Sequence, residues 1–449
     1  MPEIVNATAA NQQQDRETKT MQYHQLDATV RSDRTVRRRD FLRCVPAAAL
    51  AAGSLSWPEQ MALQASELKQ DKRNCILLWM AGGPSQFETF SPLAGHENGG
   101  GTKAIRTAVP GIHISEHLPR IAEKMDDIAI IRSMSSKEGS HSRASSLLRT
   151  GYLPTAVLKY PTFGAVAAKE LAQREDALPS FVRIGAGRKS GPGGGILGTE
   201  YNPFLHGDPK QPPANTQPTT GTNRYRKRLS LLSRLQEPFA QTGGESQVET
   251  HRKLYDTASQ MILSPQMGAF DLTQEPENIH AAYGESNFAS GCLLARRLIE
   301  AGVTFVEVHC QGWDTHQDNF TKTPELASQI DQPIAQLITD LKQRGMLDST
   351  LIVWMGEFGR TPRVNPRGGR DHFPRAFSAA LAGGGIRGGQ VIGKVNEKGT
   401  EVADRPVSVP DLFQTYCRSL QIDGNHEYMS SIGRSIKIVE EGKPITELF

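Results

Sequence analysis

Cys75-Ile76-Leu77-Leu78-Trp79-Met80 is an unbroken apolar run, and Gly82-Gly83-Pro84 follows it closely. An apolar run of this length before a turn is typical of a strand that is buried on both faces. Similar runs recur at 128–131, 303–309, 351–355 and 377–381, and amphipathic helical patterns occupy 288–301 and 326–341. Helices that alternate with fully apolar strands predict an α/β fold with a doubly wound, mostly parallel sheet and helices on both faces.

The composition changes after Gly185, where clusters of glycine and proline are typical of loops. Residues 224–255 are then charged and largely helical in pattern. We therefore expect residues 66–449 to form one α/β domain that carries an insertion of loops and helices at about 186–285.

The charge balance of the chain argues against a nucleic-acid partner. The 449 residues include 51 Lys and Arg against 48 Asp and Glu, a net charge of +3 at pH 7. So balanced a surface gives no electrostatic reason to expect a nucleic-acid partner. Cys75, Cys292, Cys310 and Cys417 are scattered without a Cys-x-x-Cys pair. We expect them to be buried free thiols, because three of the four lie in or beside apolar runs.

The N-terminal segment has the pattern of an export signal. Arg37-Arg38-Arg39-Asp40-Phe41-Leu42-Arg43 precedes an uncharged, alanine-rich stretch at 45–55, and Ala62-Leu63-Gln64-Ala65 is a loose cleavage site. Residues 1–65 are thus predicted to be a tail and a twin-arginine signal, which places the protein in the periplasm or cell envelope. The alternative is a buried helix after a disordered tail. The apolar stretch is too short to span a bilayer, so we expect no transmembrane segment after cleavage.

Polar side chains follow the predicted strands at several places. These stretches are Gly82 to Glu88, Ser140-His141-Ser142-Arg143, Gly312-Trp313-Asp314-Thr315-His316, Glu357-Phe358-Gly359-Arg360 and Gly369-Arg370-Asp371-His372. Sites in open α/β sheets lie at the carboxyl ends of the strands. We therefore expect carboxylates and imidazoles from separate stretches to meet at one edge of the sheet.

Imidazole and carboxylate ligands together suit a divalent metal such as zinc, manganese or iron. Asp314 and His316 offer two ligands from one loop, and Glu357 and His372 could complete or bridge the site. A metal there would polarise an ester oxygen or generate hydroxide near neutral pH. The guanidinium of Arg143, Arg360 or Arg370 could hold an oxyanion such as sulfate or phosphate.

Each candidate also has a purely structural interpretation. Asp314 could cap the next helix, and Glu357 could form an ion pair with Arg360. His316 and His372 could be ordinary surface histidines, and His141 could be a loop residue near Glu138. The placement of all of them at strand ends is what favours a site.

Several of these motifs resemble the exported "domain of unknown function 1501" family over about residues 74–449. The motifs are Gly83-Pro84-Ser85, residues 295–303, Gly312-Trp313-Asp314-Thr315-His316, Glu357-Phe358-Gly359-Arg360-Thr361-Pro362 and Gly369-Arg370-Asp371-His372. The resemblance implies the alkaline phosphatase–sulfatase superfamily, whose doubly wound sheet holds metal at its carboxyl edge. By the same resemblance Asp314, His316, Glu357 and His372 would bind metal, and the metal would be zinc, manganese or calcium.

The resemblance is incomplete at two positions. Ser142-Arg143 and Thr150-Gly151 echo the nucleophile loop of sulfatases, which would put Ser140 and His141 near the nucleophile position. No cysteine lies between Cys75 and Cys292, so the formylglycine route of sulfatases is closed at this loop. Ser140 could be an alkoxide nucleophile if a metal lowered its pKa. The superfamily places an Asp ligand after the first strand, where Glu88 is the nearest acidic residue here.

The leading hypothesis is therefore an exported, metal-dependent hydrolase of sulfate or phosphate esters, with an anionic ester or polysaccharide as substrate. His141 would be a further ligand or an acid/base group, and Arg143 or Arg360 would hold the oxyanion. The alternative is a non-catalytic module on the same fold that binds envelope polysaccharide or protein. The chain lacks His-Glu-x-x-His and Gly-x-Ser-x-Gly, so zincin and ordinary serine esterase chemistry have no support.

Overall fold

The structure is a computed structural model that describes residues 19–23, 26–30, 72–172, 177–187, 191–216, 220–430 and 432–449. The chain divides into two units, with the boundary between Asp71 and Lys72. In the first unit, Lys19–Tyr23 and Leu26–Val30 pair as antiparallel strands. The predicted twin-arginine motif and cleavage site lie outside the described residues, so the export signal stays a prediction.

A nine-stranded sheet forms the centre of the described part of the second unit. Its strands are β1 (Asn74–Met80), β2 (Ile128–Ser135), β3 (Phe181–Ile184), β4 (Phe204–His206), β5 (Phe305–Cys310), β6 (Thr350–Met355), β7 (Phe377–Ala382), β8 (Gln390–Ile392) and β9 (Val407–Ser408). They lie in the order β8-β2-β7-β6-β1-β5-β3-β4, and β9 pairs with β2. Strand β7 is antiparallel to both of its neighbours, whereas the other pairings are parallel. The predicted mostly parallel sheet is confirmed.

Helices cover both faces of this sheet, as predicted. The α-helices of the described residues are α1 (Pro119–Ala122), α2 (His141–Thr150), α3 (Phe163–Leu171), α4 (Thr222–Phe239), α5 (Glu245–Leu263), α6 (Glu277–Tyr283), α7 (Asn287–Glu300), α8 (Asn319–Gln343) and α9 (Val409–Leu420). Alternate side chains of β1 point to opposite faces: Ile76 and Leu78 share a core with α7 and α8, while Leu77 and Trp79 share one with α2, α3 and α9. The fold is therefore doubly wound.

The register of the central strands brings their carboxyl ends together. Strand β1 pairs in parallel with β5 and β6, so that Trp79 lies beside both His309 and Met355. The segments that follow these three strands consequently begin at one edge of the sheet. Strand β7 starts at the same edge because it runs in the opposite direction, so the connection from β6 to β7 both leaves and returns there.

The predicted insertion contains the helices α4, α5 and α6 and one strand of the sheet. Helices α4 and α5 pack on each other through a hydrogen bond between Tyr225 Oη and Ser259 Oγ of 3.2 Å, and Gly243, with a φ of 101°, lies in the turn between them. Strand β4 joins the edge of the sheet beside β3. The limits of the insertion stay a prediction. Within the described residues, no helix has the length and apolar character to cross a bilayer.

The four cysteines that lie in the described part of the chain are buried and free, as predicted. Burial raises the pKa of the Cys310 thiol to about 11 and that of Cys417 to about 12. The thiols are therefore protonated and unreactive near neutral pH.

Candidate metal centre

Three segments at the carboxyl edge carry the candidate ligands. His141 is the first residue of α2, which follows β2. Asp314 and His316 lie in the loop between β5 and α8. His372 lies in a two-residue strand, His372–Phe373, which pairs with Gly359–Arg360 after β6. A Cβ atom at Gly82, whose φ is 116°, would lie 2.4 Å from the backbone nitrogen of Asp314. Only glycine lets the segment after β1 approach the Asp314 loop this closely.

The side chains of these residues converge on the carboxylate of Asp314. Potential ligand atoms of His141, Asp314 and His372 all lie within 4.8 Å of one another. Asp314 Oδ2 is 3.3 Å from His141 Nε2, and Asp314 Oδ1 is 3.2 Å from His316 Nε2 and 3.3 Å from His372 Nε2. The two Nε2 atoms of His316 and His372 are 2.9 Å apart. The aspartate and the three histidines that the sequence analysis selected thus meet at one point.

The opposite ring nitrogens fix the orientation of the three imidazoles. His141 Nδ1 is 2.6 Å from Glu357 Oε1, His316 Nδ1 is 2.8 Å from Asp371 Oδ1, and His372 Nδ1 is 2.8 Å from the carbonyl oxygen of Gly139. A carbonyl or an ionised carboxylate can only accept a hydrogen bond, so each Nδ1 donates. In a neutral ring the lone pair then lies on Nε2. Three lone pairs and a carboxylate therefore face one point, an arrangement that a shared cation would stabilise.

The buried side chain of Arg360 fixes the position of the Asp314 carboxylate. Its guanidinium is fully buried, and its Nη2 donates to Asp314 Oδ1 at 2.6 Å. Burial raises the pKa of Asp314, but the hydrogen bond and charge of Arg360, with the nearby His141 and His316, lower it to about 2. Asp314 is consequently an anion at any physiological pH. It does not cap α8, whose N-cap residue is Asp318.

The remaining donors of Arg360 are used by the backbone. They donate to the carbonyl oxygens of Gly82, Gly83, Trp313 and Arg370. The prediction had Arg360 as a residue that holds a substrate oxyanion or pairs with Glu357. In the structure this side chain is instead fully buried next to the cluster, where its hydrogen bonds connect the loops that follow β1, β5 and β6.

Glu357 acts on the centre through His141. Its carboxylate is almost completely buried and accepts hydrogen bonds from the backbone nitrogen of Gly82 as well as from His141 Nδ1. The hydrogen bond that His141 Nδ1 donates to Glu357 is the main cause that raises the pKa of His141. The ring of Phe358 supports His141 and His372, with centroid distances of 4.9 and 4.5 Å. Glu357, which was predicted to bind metal itself, is thus placed as an orienting partner of His141.

We expect Glu357→Gln to lower the affinity of the protein for divalent metal by about 10- to 100-fold, because outer partners of ligand histidines usually contribute this much. The measurement is a competition titration against a chromogenic chelator. Glu138→Gln is the matched control, since Glu138 pairs with the exposed Arg143 outside the cluster. An unchanged affinity in Glu357→Gln would show that the bond to His141 has no part in metal binding.

Glu88 lies away from the cluster, contrary to its prediction as a metal ligand. It is fully buried, and its Oε1 accepts a hydrogen bond from Arg370 Nη2 at 2.8 Å. Arg370 is also fully buried and donates to the carbonyl oxygens of Thr361 and Asn98. This ion pair accounts for both residues, so neither Glu88 as a ligand nor Arg370 as an oxyanion donor has support from the geometry.

Ser140 and Arg143 lie at the start of α2. Ser140 is exposed and occupies the N-cap position, yet its side chain makes no capping hydrogen bond. Arg143 is half exposed and forms two hydrogen bonds with Glu138, at 2.9 and 2.8 Å. Both side chains are accessible, but Arg143 would have to leave Glu138 before it could hold an oxyanion.

Two partners of the histidines, Asp371 and the carbonyl group of Gly139, were not predicted from the sequence. Asp371 accepts hydrogen bonds from His316 Nδ1 and from Asn365 Nδ2, and the first of these is the main cause that lowers its pKa. Asp371 directly precedes the candidate ligand His372 in the sequence, and this neighbouring carboxylate could have indicated a hydrogen-bond partner for a ligand histidine. A carbonyl acceptor such as that of Gly139 leaves no trace in the sequence.

The donor set fits a divalent cation of the kind predicted. Neutral imidazole nitrogens and one carboxylate, each histidine held by an outer acceptor, are the usual surroundings of zinc and manganese in proteins. Calcium prefers oxygen ligands, so three nitrogen donors favour the first two metals.

The fold and the cluster define an α/β protein with a candidate metal centre at the carboxyl edge of its sheet. The chain belongs to the family described as protein of unknown function (DUF1501), whose model matches residues 72–449. A comparison with curated proteins gave no match.

Among solved structures the chain is similar to several hydrolases at low identity. A putative sulfatase from Bacteroides thetaiotaomicron is 10% identical with a TM-score of 0.40, over 78% of this chain and 71% of that one. A sulfatase from Pseudoalteromonas sp. is 15% identical with a TM-score of 0.38, over 82% and 72%. The phosphonate monoester hydrolase of Agrobacterium radiobacter is 13% identical with a TM-score of 0.36, over 83% and 78%. These likenesses assign no activity to the chain.

Proposed function

We propose that the protein is a metal-dependent hydrolase of sulfate or phosphate esters that works after export to the periplasm or cell envelope. The observation that carries the proposal is the convergence of three Nε2 atoms on the carboxylate of Asp314, with every Nδ1 held by an outer acceptor. His141, Asp314, His316 and His372 would hold the cation. A divalent cation there would polarise an ester oxygen and favour negative charge on it.

The residues around the centre support this chemistry. Glu357 and Asp371 orient His141 and His316, and Arg360 keeps Asp314 ionised and fixed. The hydroxyl of Ser140 is exposed beside His141, at the N-terminus of α2, and is not used for capping. Helix N-termini favour anions, so this position suits a nucleophile that becomes charged. We propose Ser140 for that role, with Arg143 as the accessible cation for the ester group.

The test begins with metal content. We expect the purified protein to bind zinc or manganese, His316→Ala to bind at least about tenfold less tightly, and the exposed His113→Ala to behave as the wild type. Hydrolysis of generic aryl sulfates and aryl phosphates by the metal-loaded proteins is then measured. Turnover that His372→Ala and Ser140→Ala abolish would support the proposal. A folded wild-type protein that takes up no divalent metal would refute it.

A second candidate function is a metal-containing binding protein for an anionic envelope polysaccharide or a partner protein. The observation in its favour is that no base contacts the Ser140 hydroxyl among the described residues, and that Arg360 is sealed away from solvent. Metal binding without any turnover, together with binding of a sulfated polysaccharide that His372→Ala weakens, would select this function over hydrolysis.

A further inference from the structure

The outer face of α4 combines cations with exposed apolar side chains. Leu231, Leu235 and Phe239 are 49%, 68% and 58% exposed, large fractions for such residues. They recur every four residues and therefore share one side of a helix with about 3.6 residues per turn. The same side carries four exposed basic residues, Arg224, Lys227, Arg228 and Arg234. We call these seven residues the outer face of α4.

The opposite side of α4 already has a partner. Tyr225, Leu229 and Leu232 are partly buried, and the Tyr225 hydroxyl lies 3.2 Å from Ser259 of α5. The only carboxylate in α4, Glu237, lies outside the outer face and pairs with Arg252 of α5 at 2.8 Å. The outer face is therefore positive. The ring of Phe239 also lies against Gly244 before α5, whereas Leu231 and Leu235 are largely exposed.

We propose that the outer face of α4 binds the surface of an anionic lipid bilayer. A helix that presents lysine and arginine beside exposed leucine and phenylalanine has the pattern of helices that lie in the bilayer interface. The basic residues are attracted to anionic headgroups, and the apolar side chains enter the boundary with the acyl chains. The protein would be a peripheral membrane protein, held by this helix without spanning the bilayer.

Charge decides between a bilayer and a second copy of this chain. An isologous contact through the outer face would place the basic residues of one copy against those of the other, because each surface would meet itself. Like charges across an interface oppose association. An anionic surface instead satisfies all four cations at once and offers the leucines and the phenylalanine an apolar layer.

The experiment uses the full chain and a local reporter. In a chain that also carries Trp57→Phe, Phe239→Trp places an indole on the outer face, whereas Trp79, Trp313 and Trp354 are buried and give a constant background. We expect vesicles of phosphatidylglycerol and phosphatidylcholine to shift its emission to shorter wavelength, and vesicles of pure phosphatidylcholine to have little effect. Met429→Trp, at an exposed apolar position of a different element, is the matched reporter and should not shift. Because Trp57 is replaced in every protein of this experiment, binding through the basic N-terminal segment does not mimic the signal.

Charge reversal then tests the basic residues. In the Phe239→Trp protein we expect Lys227→Glu/Arg228→Glu/Arg234→Glu to weaken vesicle binding by at least about 100-fold, since each basic residue near an anionic surface contributes substantially. Lys394→Glu/Lys398→Glu/Lys443→Glu makes the same change of charge at exposed positions elsewhere and should bind within about threefold of the parent, because these residues lie away from the outer face. Both triple variants should retain metal binding, which shows that they are folded.

Three outcomes would overturn the proposal. The first is an emission that anionic vesicles leave unchanged. The second is equal weakening in both triple variants, because only net charge would then matter. The third is a dimer that forms without vesicles and that Leu231→Ser/Leu235→Ser abolishes, because the outer face would then bind a second copy of the chain.

Discussion

Asp314→Asn should lower the affinity of the protein for zinc or manganese by more than the factor of about 10 to 100 that is usual for an outer partner. Among the described residues, this carboxylate is the one anion that all three Nε2 atoms approach, at 3.2 to 3.3 Å. An amide of the same shape removes the negative charge and offers an N–H group that can bond to an imidazole lone pair. The site would then satisfy its histidines without a cation.

A competition titration with a chelating dye measures this effect. The amide oxygen of the Asp314→Asn variant would still accept a hydrogen bond from Arg360, so the fold should be retained, which circular dichroism and the urea midpoint of the metal-free protein can verify. Asp404→Asn, at an exposed position in the strand Val402–Asp404, is the matched control. Wild-type affinity in Asp314→Asn would contradict the proposed centre, whatever the activity of the protein.

Arg360→Met should cause the largest loss of stability among these substitutions, about 3–5 kcal/mol, because it leaves buried polar groups without their partner. The side chain is fully buried and donates to four backbone carbonyl groups as well as to Asp314. Those carbonyl groups belong to the loops after β1, β5 and β6. Their loss of a shared donor should loosen the edge of the sheet that carries the centre.

Urea unfolding of the metal-free protein is the measurement, so that metal binding does not contribute. Arg143→Met is the matched control, since Arg143 is half exposed and solvent screens its ion pair with Glu138, so its loss should hardly move the urea midpoint. Arg360→Lys keeps the charge with fewer donors and should lie between wild type and Arg360→Met. A midpoint in Arg360→Met equal to that of Arg143→Met would show that the buried guanidinium is not a structural tie.

The sequence was sufficient to predict the central strands, because side chains buried on both faces leave unbroken apolar runs. It could not predict the direction of β7, since an apolar run looks the same in either orientation. Edge strands such as β4 and β8 have only three residues each and produce no pattern. Helix α8 begins at Asn319 and not at 326, because its first turns are polar and contain Pro324, which argues against a helix.

The same limits apply to the centre. The histidines and the aspartate that meet were predicted from their positions after apolar runs. Segments that follow parallel strands begin at the same edge of the sheet. Burial was not predictable: Glu88, Arg360 and Arg370 look like surface residues in the sequence, yet each is fully enclosed. A buried ion pair such as Glu88 with Arg370 joins residues far apart in the chain, and no local pattern reports it.

The reversal of β7 has a consequence for how this centre is assembled. In an all-parallel sheet the chain after β6 would have to cross to the far edge before the next strand. Here residues 356–376 leave and re-enter the sheet at the same edge, in neighbouring strands. This one segment, residues 356–376, contributes Glu357, Arg360, Asp371 and His372. Its two ends are fixed by the sheet and by the buried side chains of Arg360 and Arg370, so changes at its other positions can alter Glu357, Asp371 and His372 together while the strands stay in place.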